Sequence, residues 1–200
     1  MKFILRSEAR PTERRTPLTP KNAKALLAAG FEIAVEQSDR RVFPDAAYKA
    51  AGCEIVPEGT WLDTPADVTI LGLKELPEKP DALRNPFIHF AHLYKEQTGW
   101  QAEIARFTRG GGMLYDLEYL AVNGRRVAAF GYWAGWKGAA LAAWRQLSLD
   151  VGEEGPAAGV SHFESRAEVE EILQGLASRT SGKTAVVIGA KGRSGTGAGS

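Results

Sequence analysis

Between Lys2 and Tyr119 short apolar runs alternate with helix-length stretches, and that alternation admits few folds. Lys2–Arg6, Phe31–Glu36, Cys53–Val56, Val68–Leu73, Phe87–Leu93 and Met113–Tyr119 are the strand candidates. Val68-Thr-Ile-Leu-Gly-Leu73 is almost continuously apolar, as a strand covered on both faces of a parallel sheet must be. Thr19-Pro20 sets an N-cap threonine before a proline at the first helical position. Ala23, Leu26 and Leu27 supply an apolar stripe, and Gly30 stops the helix. Pro44–Ala51, closed by Gly52, repeats the device, and Gln97–Arg109 has the length of a crossover helix. Strand and helix alternating at this spacing predict an α/β fold with a doubly wound, mostly parallel, Rossmann-like sheet.

The pattern changes after Phe130. Gly131–Leu149, rich in alanine and tryptophan, is expected to be one long helix leaving the first domain. A glycine-, proline- and acid-bearing loop, Gly152–Gly159, precedes an amphipathic helix over Ser161–Ser178, with Val169, Ile172, Leu173 and Leu176 on one face. Lys183 then leads into an apolar strand candidate, Ala185–Ile188, which runs into the turn Gly189-Ala-Lys-Gly192-Arg193-Ser194-Gly195. A buried strand feeding a glycine-rich turn is how a dinucleotide-binding βαβ unit begins, because glycines let the backbone approach a pyrophosphate. Gly189, Gly192, Arg193, Ser194 and Gly195 are therefore the candidate cofactor residues. The expected organisation is a substrate-binding domain over 1–130, an interdomain helix over 131–150 and the start of a nucleotide-binding Rossmann domain over 151–200. The chain stops at Ser200, before the helix that such a turn should open, so the second domain is expected to be incomplete. The acidic residue that would grip the ribose lies ~20 positions further on, and the turn leaves NAD and NADP open.

The near balance of 25 Lys and Arg against 24 Asp and Glu gives no reason to expect nucleic acid or an anionic membrane as partner. No run approaches the ~20 apolar residues of a membrane span. The single cysteine, Cys53, excludes an intramolecular disulfide and suits a reducing cytosol, so a cytoplasmic setting is expected. No metal-ligand spacing stands out.

In open parallel sheets ligands bind beyond the carboxyl ends of the strands. Val68–Leu73 ends in Lys74-Glu75, and Phe87–Ala91 ends in His92, followed by Tyr94 and Lys95. A lysine at a desolvated strand end can serve as a base, and a histidine titrates near neutrality. Each residue has a plainer alternative, a solvated loop lysine and a satisfied core histidine. His89, three residues before His92, would face the other way on a strand and is the more structural of the pair. His162 has no partner legible in the sequence. The loop Arg10–Pro20 carries Arg15, whose planar fork suits a carboxylate ligand, with a solvated loop as the even alternative. Asp116 and Glu118 share parity in a strand-like segment; they could hold an ammonium group or pair with Arg125 or Arg126.

Several of these segments occur together in one known family. Leu5-Arg-Ser-Glu8, Glu13-Arg-Arg15, Leu18-Thr-Pro20, Ile70-Leu-Gly-Leu-Lys74-Glu75-Leu-Pro77, His89-Phe-Ala-His92-Leu-Tyr-Lys95-Glu-Gln97, Leu114-Tyr-Asp-Leu-Glu118 and Gly124-Arg-Arg126 are the matching stretches. The chain resembles the NAD-dependent, lysine-forming saccharopine dehydrogenases, within the alanine dehydrogenase and transhydrogenase group. The resemblance covers nearly the whole chain and implies NAD as cofactor, saccharopine as substrate, and lysine and 2-oxoglutarate as products by way of an imine. It implies Lys74 and His92 as the acid–base pair. Glu75 and Glu118 would tune them and face the cationic end of the substrate, and Arg15, Lys95 and Arg126 would bind its carboxylates. It implies a small amino-acid partner, places the protein in lysine metabolism and leaves a monomer plausible. Family members run well over a hundred residues further, so the 200-residue chain alone is expected to be inactive. The alternatives are a related amino-acid dehydrogenase, such as an alanine dehydrogenase, and a non-catalytic amino-acid-binding module.

Overall fold

A computed structural model describes residues 1–93, 98–160, 162–163 and 165–200, which divide into two compact units, Met1–Ala128 and Ala129–Ser200. In the first, β1 (Lys2–Leu5), β2 (Glu32–Glu36), β3 (Glu54–Val56), β4 (Thr69–Leu71), β5 (Pro86–His89) and β6 (Met113–Asp116) form one sheet in the order β3-β2-β1-β4-β5-β6. Every neighbouring pair is parallel. The order reverses direction between β1 and β4, and that switch point is where an open α/β sheet leaves a crevice for ligands.

The helices form where sequence chemistry places their ends. The α1 helix (Pro20–Ala28) starts on Thr19, whose side chain accepts from the Asn22 amide at 3.2 Å. The α2 helix (Asp45–Ala51) ends on Gly52 in the left-handed conformation at φ 100°, which glycine adopts without a side-chain clash. The α3 helix (Trp100–Gly110) crosses from β5 to β6. Side chains alternate between two cores. Ile4, Trp61, Ile70, Phe87 and Phe107 pack on one face, and Leu5, Leu18, Ala23, Val35 and Tyr48 on the other. Covering both faces is what makes the central strands apolar throughout.

Val68–Leu73 is strand only over Thr69–Leu71, and two further shortenings matter for the site. Phe87–Leu93 is strand only to His89, because His92 turns into the left-handed region at φ 57°. Met113–Tyr119 is strand only to Asp116, then a 3-10 turn over Leu117–Tyr119, so Asp116 and Glu118 do not share a strand face. A short antiparallel hairpin follows, β7 (Ala121–Val122) and β8 (Arg125–Arg126), closed by Asn123 and Gly124, both at positive φ. Asn-Gly is the pair that a tight hairpin turn of this kind favours.

In the second unit, α4 (Gly131–Asp150) packs on α5 (Arg166–Ala177) through Trp136, Ala140, Val169 and Leu173. Two expectations fail here. Ala185–Ile188 forms no strand; Val186 and Ile188 stand 85% and 96% exposed. A parallel strand exists only through its ladder, and no strand within this unit pairs with it among the described residues. The glycine turn, in contrast, already opens a helix, α6 (Arg193–Ala198), where none was expected before Ser200. The helices α4 and α6 approach closely because glycines meet there: a Cβ on Gly135 would lie 1.8 Å from the Ser194 carbonyl oxygen.

Tyr48 is wholly buried and its hydroxyl donates to the Leu18 carbonyl at 2.6 Å, tying α2 to the loop before α1. Tyr48→Phe removes the shorter of two bonds to that carbonyl, which also accepts from Thr16 Oγ1 at 3.2 Å, and is expected to cost about 1 kcal/mol in a urea unfolding experiment.

Candidate active site

The site is built on the carboxyl ends of β1, β4, β5 and β6. Just past β1 stand Arg6 and Glu8, both buried, with their charges 3.3 Å apart. Glu8 accepts from the backbone amides of Leu73 at 2.7 Å and Lys74 at 3.0 Å. Arg6 returns the contact, donating to the carbonyls of Lys74 and Glu75. The backbone on both sides of Lys74 is thus fixed by a charge pair sixty-odd residues away in the chain. Gly72 makes room for it: a Cβ there would lie 2.5 Å from Arg6 Nε, a side chain pinned at 1% exposure. Burial pulls the guanidinium below its ordinary range, while Glu8, Glu36 and Glu75 oppose that loss.

Lys74 itself is half-buried. Its charge is felt by Glu13, which Arg15 grips with two hydrogen bonds, Nε at 2.8 Å and Nη2 at 2.6 Å. Burial pushes the Glu13 carboxyl up, but the Arg15 bonds and the charges of Arg15 and Lys74 outweigh it and hold the group below its usual range. The hydrogen bond from Arg15 to Glu13 in turn raises the guanidinium. The Arg15 side chain remains half-exposed. Glu75 pairs with Arg10 at 3.2 Å on an exposed rim.

His92, Glu118 and Arg126 form a second group. Glu118 is buried, with one oxygen 2.7 Å from Arg126 Nη2 and 3.5 Å from His92 Nδ1. Asp116 holds this group's backbone, its Oδ1 accepting from the Ala91 amide at 3.2 Å and from the Glu118 amide at 2.9 Å. The left-handed backbone at His92 is a sparsely populated conformation of the kind that surrounding structure must enforce, and the Ala91 bond is one of the contacts that does so.

His89 is not turned away from His92, as strict strand alternation had suggested. Because the strand ends at His89, the two imidazoles line one cavity of about 240 Å³, together with Glu75, Leu76, Trp100 and Glu103. His89 is 2% exposed, and burial, with the charges of Arg6, His92 and Arg106, depresses its pKa to about 3. Of the other expected site residues, Lys95 lies outside the described residues, as does Gln97 at the predicted start of α3. Arg6, Glu8 and Glu13, which position the others, were absent from the expected set, and Asp116, expected to hold an ammonium group or pair with Arg125 or Arg126, instead accepts from backbone amides. Among the described residues no cluster suits a metal ion, and no helix is long and apolar enough to cross a membrane.

A six-stranded parallel sheet with ionisable groups gathered where its strand order reverses defines a Rossmann-like domain. The family model "Alanine dehydrogenase/PNT, N-terminal domain" matches residues 4–137, and the chain belongs to that family. It is 48% identical to a saccharopine dehydrogenase [NAD(+), L-lysine-forming] of Emericella nidulans over 98% of this chain and 55% of that protein. It is 45% identical to the enzyme of that name from Yarrowia lipolytica over 99% of this chain and 56% of that one. The chain thus spans about half the length of the curated relatives it matches. Among solved structures, a transhydrogenase from Sinorhizobium meliloti has the same fold at 18% identity and a TM-score of 0.52, covering 74% of this chain and 45% of that one.

Glu8→Ala is expected to destabilise the first unit by about 3–5 kcal/mol in chemical denaturation, because it leaves the Arg6 cation buried and without its closest carboxylate. His89 gives a pH signature. Its pKa falls from 6.5 to about 3 on folding, so the unfolded chain takes up a proton that the folded one refuses. The corresponding stability is present above pH 6.5, is lost as pH falls towards 3, and is on the order of 5 kcal/mol. Unfolding midpoints measured across that range should fall less steeply in His89→Gln than in the wild type.

Proposed function

We propose that the protein carrying this chain is an NAD-dependent oxidoreductase acting on saccharopine, in the cytoplasm, and releasing L-lysine and 2-oxoglutarate. The observation that carries this reading is the identity of 43–48% with several lysine-forming saccharopine dehydrogenases along almost the whole chain. The site chemistry agrees with it. The substrate is a secondary amine bearing three carboxylates, and the site offers cations held at fixed places next to two proton-carrying groups.

In this reading Lys74 Nζ takes the proton of the secondary amine as the neighbouring carbon is oxidised. The Arg6–Glu8 pair fixes the backbone from which that side chain reaches. His92 takes a proton from water as it attacks the imine, and returns a proton to nitrogen as the carbon–nitrogen bond breaks. Glu118, 3.5 Å from His92 Nδ1, orients the ring through those two steps. Arg15, Arg126 and Lys95 bind substrate carboxylates, while Glu75 and Glu118 face its ammonium end.

The residues of the glycine turn fit a dinucleotide. A Cβ on Gly195 would lie 2.0 Å from the Gly189 carbonyl oxygen, Gly189 sits at φ 75°, and Gly192 caps α6 with no side chain in the way. Gly189, Gly192, Arg193, Ser194 and Gly195 would hold the pyrophosphate. NAD, when bound, supplies the hydride acceptor.

Saccharopine and NAD mixed with the protein should yield NADH and lysine, and alanine should yield neither. Turnover on alanine alone would move the assignment to an alanine dehydrogenase. Lys74→Met and His92→Gln are each expected to lower kcat by about 10²–10⁴-fold with a much smaller change in KM; wild-type turnover in both would remove them from the chemistry.

A further inference from the structure

The cavity beside His92 holds an unanswered polar demand. Two buried atoms, His89 Nδ1 and Glu103 Oε1, have no hydrogen-bond partner among the described residues, while His92 Nδ1 faces Glu118 at a long 3.5 Å. All three residues line the same space of about 240 Å³. An unpaired buried polar group costs about 1–3 kcal/mol, so two in one cavity call for a polar occupant. The space is sufficient for several waters at roughly 30 Å³ each.

The surrounding contacts fix these atoms. His89 is 2% exposed and follows Phe87, whose ring meets the imidazole edge-on at 6.3 Å. Glu103 spends its other oxygen on Arg106 Nη1 at 2.8 Å, and Arg106 is itself anchored on the Pro80 carbonyl by two bonds. The free carboxylate oxygen can only accept a hydrogen bond. An imidazole nitrogen can accept or donate according to tautomer. Water satisfies that pair under either tautomer, whereas a purely anionic ligand would be repelled by Glu103 and Glu75.

We propose that His89 and Glu103 hold, beside His92, the water that hydrolyses the imine. This rests on the saccharopine reading above. The water donates one hydrogen to Glu103 Oε1, and His89 Nδ1 fixes its orientation. Its oxygen adds to the imine carbon, the carbon–nitrogen π pair moves to nitrogen, and a water proton passes to His92. His92 then gives a proton to nitrogen, the carbon–nitrogen bond breaks with its electrons on the departing amine, and the hydroxyl proton returns to His92 as the carbonyl forms. One water is consumed, and one ketone and one amine are released. Burial keeps the His89 imidazole neutral, with the charges of Arg6, His92 and Arg106 adding to the effect, so it can orient this water without itself competing for the proton.

The test separates hydride transfer from hydrolysis. The protein carrying this chain, loaded with NAD, is mixed rapidly with saccharopine, and NADH and lysine are followed separately in the wild type and in His89→Leu, His89→Asn and Glu103→Gln. In His89→Leu the first NADH should form at close to the wild-type rate, with lysine release slowed by about 100-fold, giving a burst of one NADH per site and an imine that borohydride traps. Asparagine places an amide group near the Nδ1 position and should restore much of the lysine release. Glu103→Gln exchanges an acceptor for a donor and should also slow the second phase; it decides the matter if His89→Leu does not fold. Lysine release that keeps pace with NADH in the folded variants, or a hydride step slowed as much as hydrolysis, would overturn the proposal. Absence of NADH in the wild type would instead overturn the saccharopine reading on which it rests.

Discussion

The buried charge pair of Arg6 and Glu8 is the contact on which the candidate site depends. β1 and β4 are hydrogen-bonded along their strands, but Lys74 lies beyond the ladder, where a parallel sheet offers no further pairing. The pair extends the connection. Glu8 receives the amides of Leu73 and Lys74, and Arg6 donates to the carbonyls of Lys74 and Glu75, so backbone groups that would otherwise need water are satisfied by two fixed charges. Burying such a pair is expensive and contributes little net stability against an apolar replacement. Its value here is positional: it holds a lysine at the switch point of the sheet.

A parallel device serves the other half of the site. Asp116 at the end of β6 ties the exit of β5 to the 3-10 turn that carries Glu118, and Glu118 stands between His92 and Arg126. Each proton-carrying side chain thus has its backbone held by a carboxylate from a neighbouring strand end. Rigid elements set the strand ends from which the loops carrying these groups project.

Much of this was legible in the sequence, for physical reasons that can be named. The apolar run ending at Leu73, the Thr19-Pro20 helix start and the charged residues just past strand ends rest on local rules, so the sheet and the places of Lys74 and His92 could be read. The Arg6–Glu8 clamp could not, because it joins residues far apart in the chain and a buried arginine looks in sequence like any surface one. The left-handed turn at His92 likewise depends on what surrounds it, and it overturned the expected orientation of His89. Asn123-Gly124 was a readable hairpin signal that went unused. Ala185–Ile188 shows the reverse error: apolar composition suggested a strand, but a strand exists only where another pairs with it.

The role of Lys74 depends on where the substrate amine sits. A crystal structure of the protein with saccharopine bound is the direct measurement. It should place the secondary amine nitrogen within ~3 Å of Lys74 Nζ, with substrate carboxylates on Arg15 and Arg126. Saccharopine bound with its amine remote from Lys74, or with its carboxylates away from both arginines, would contradict it.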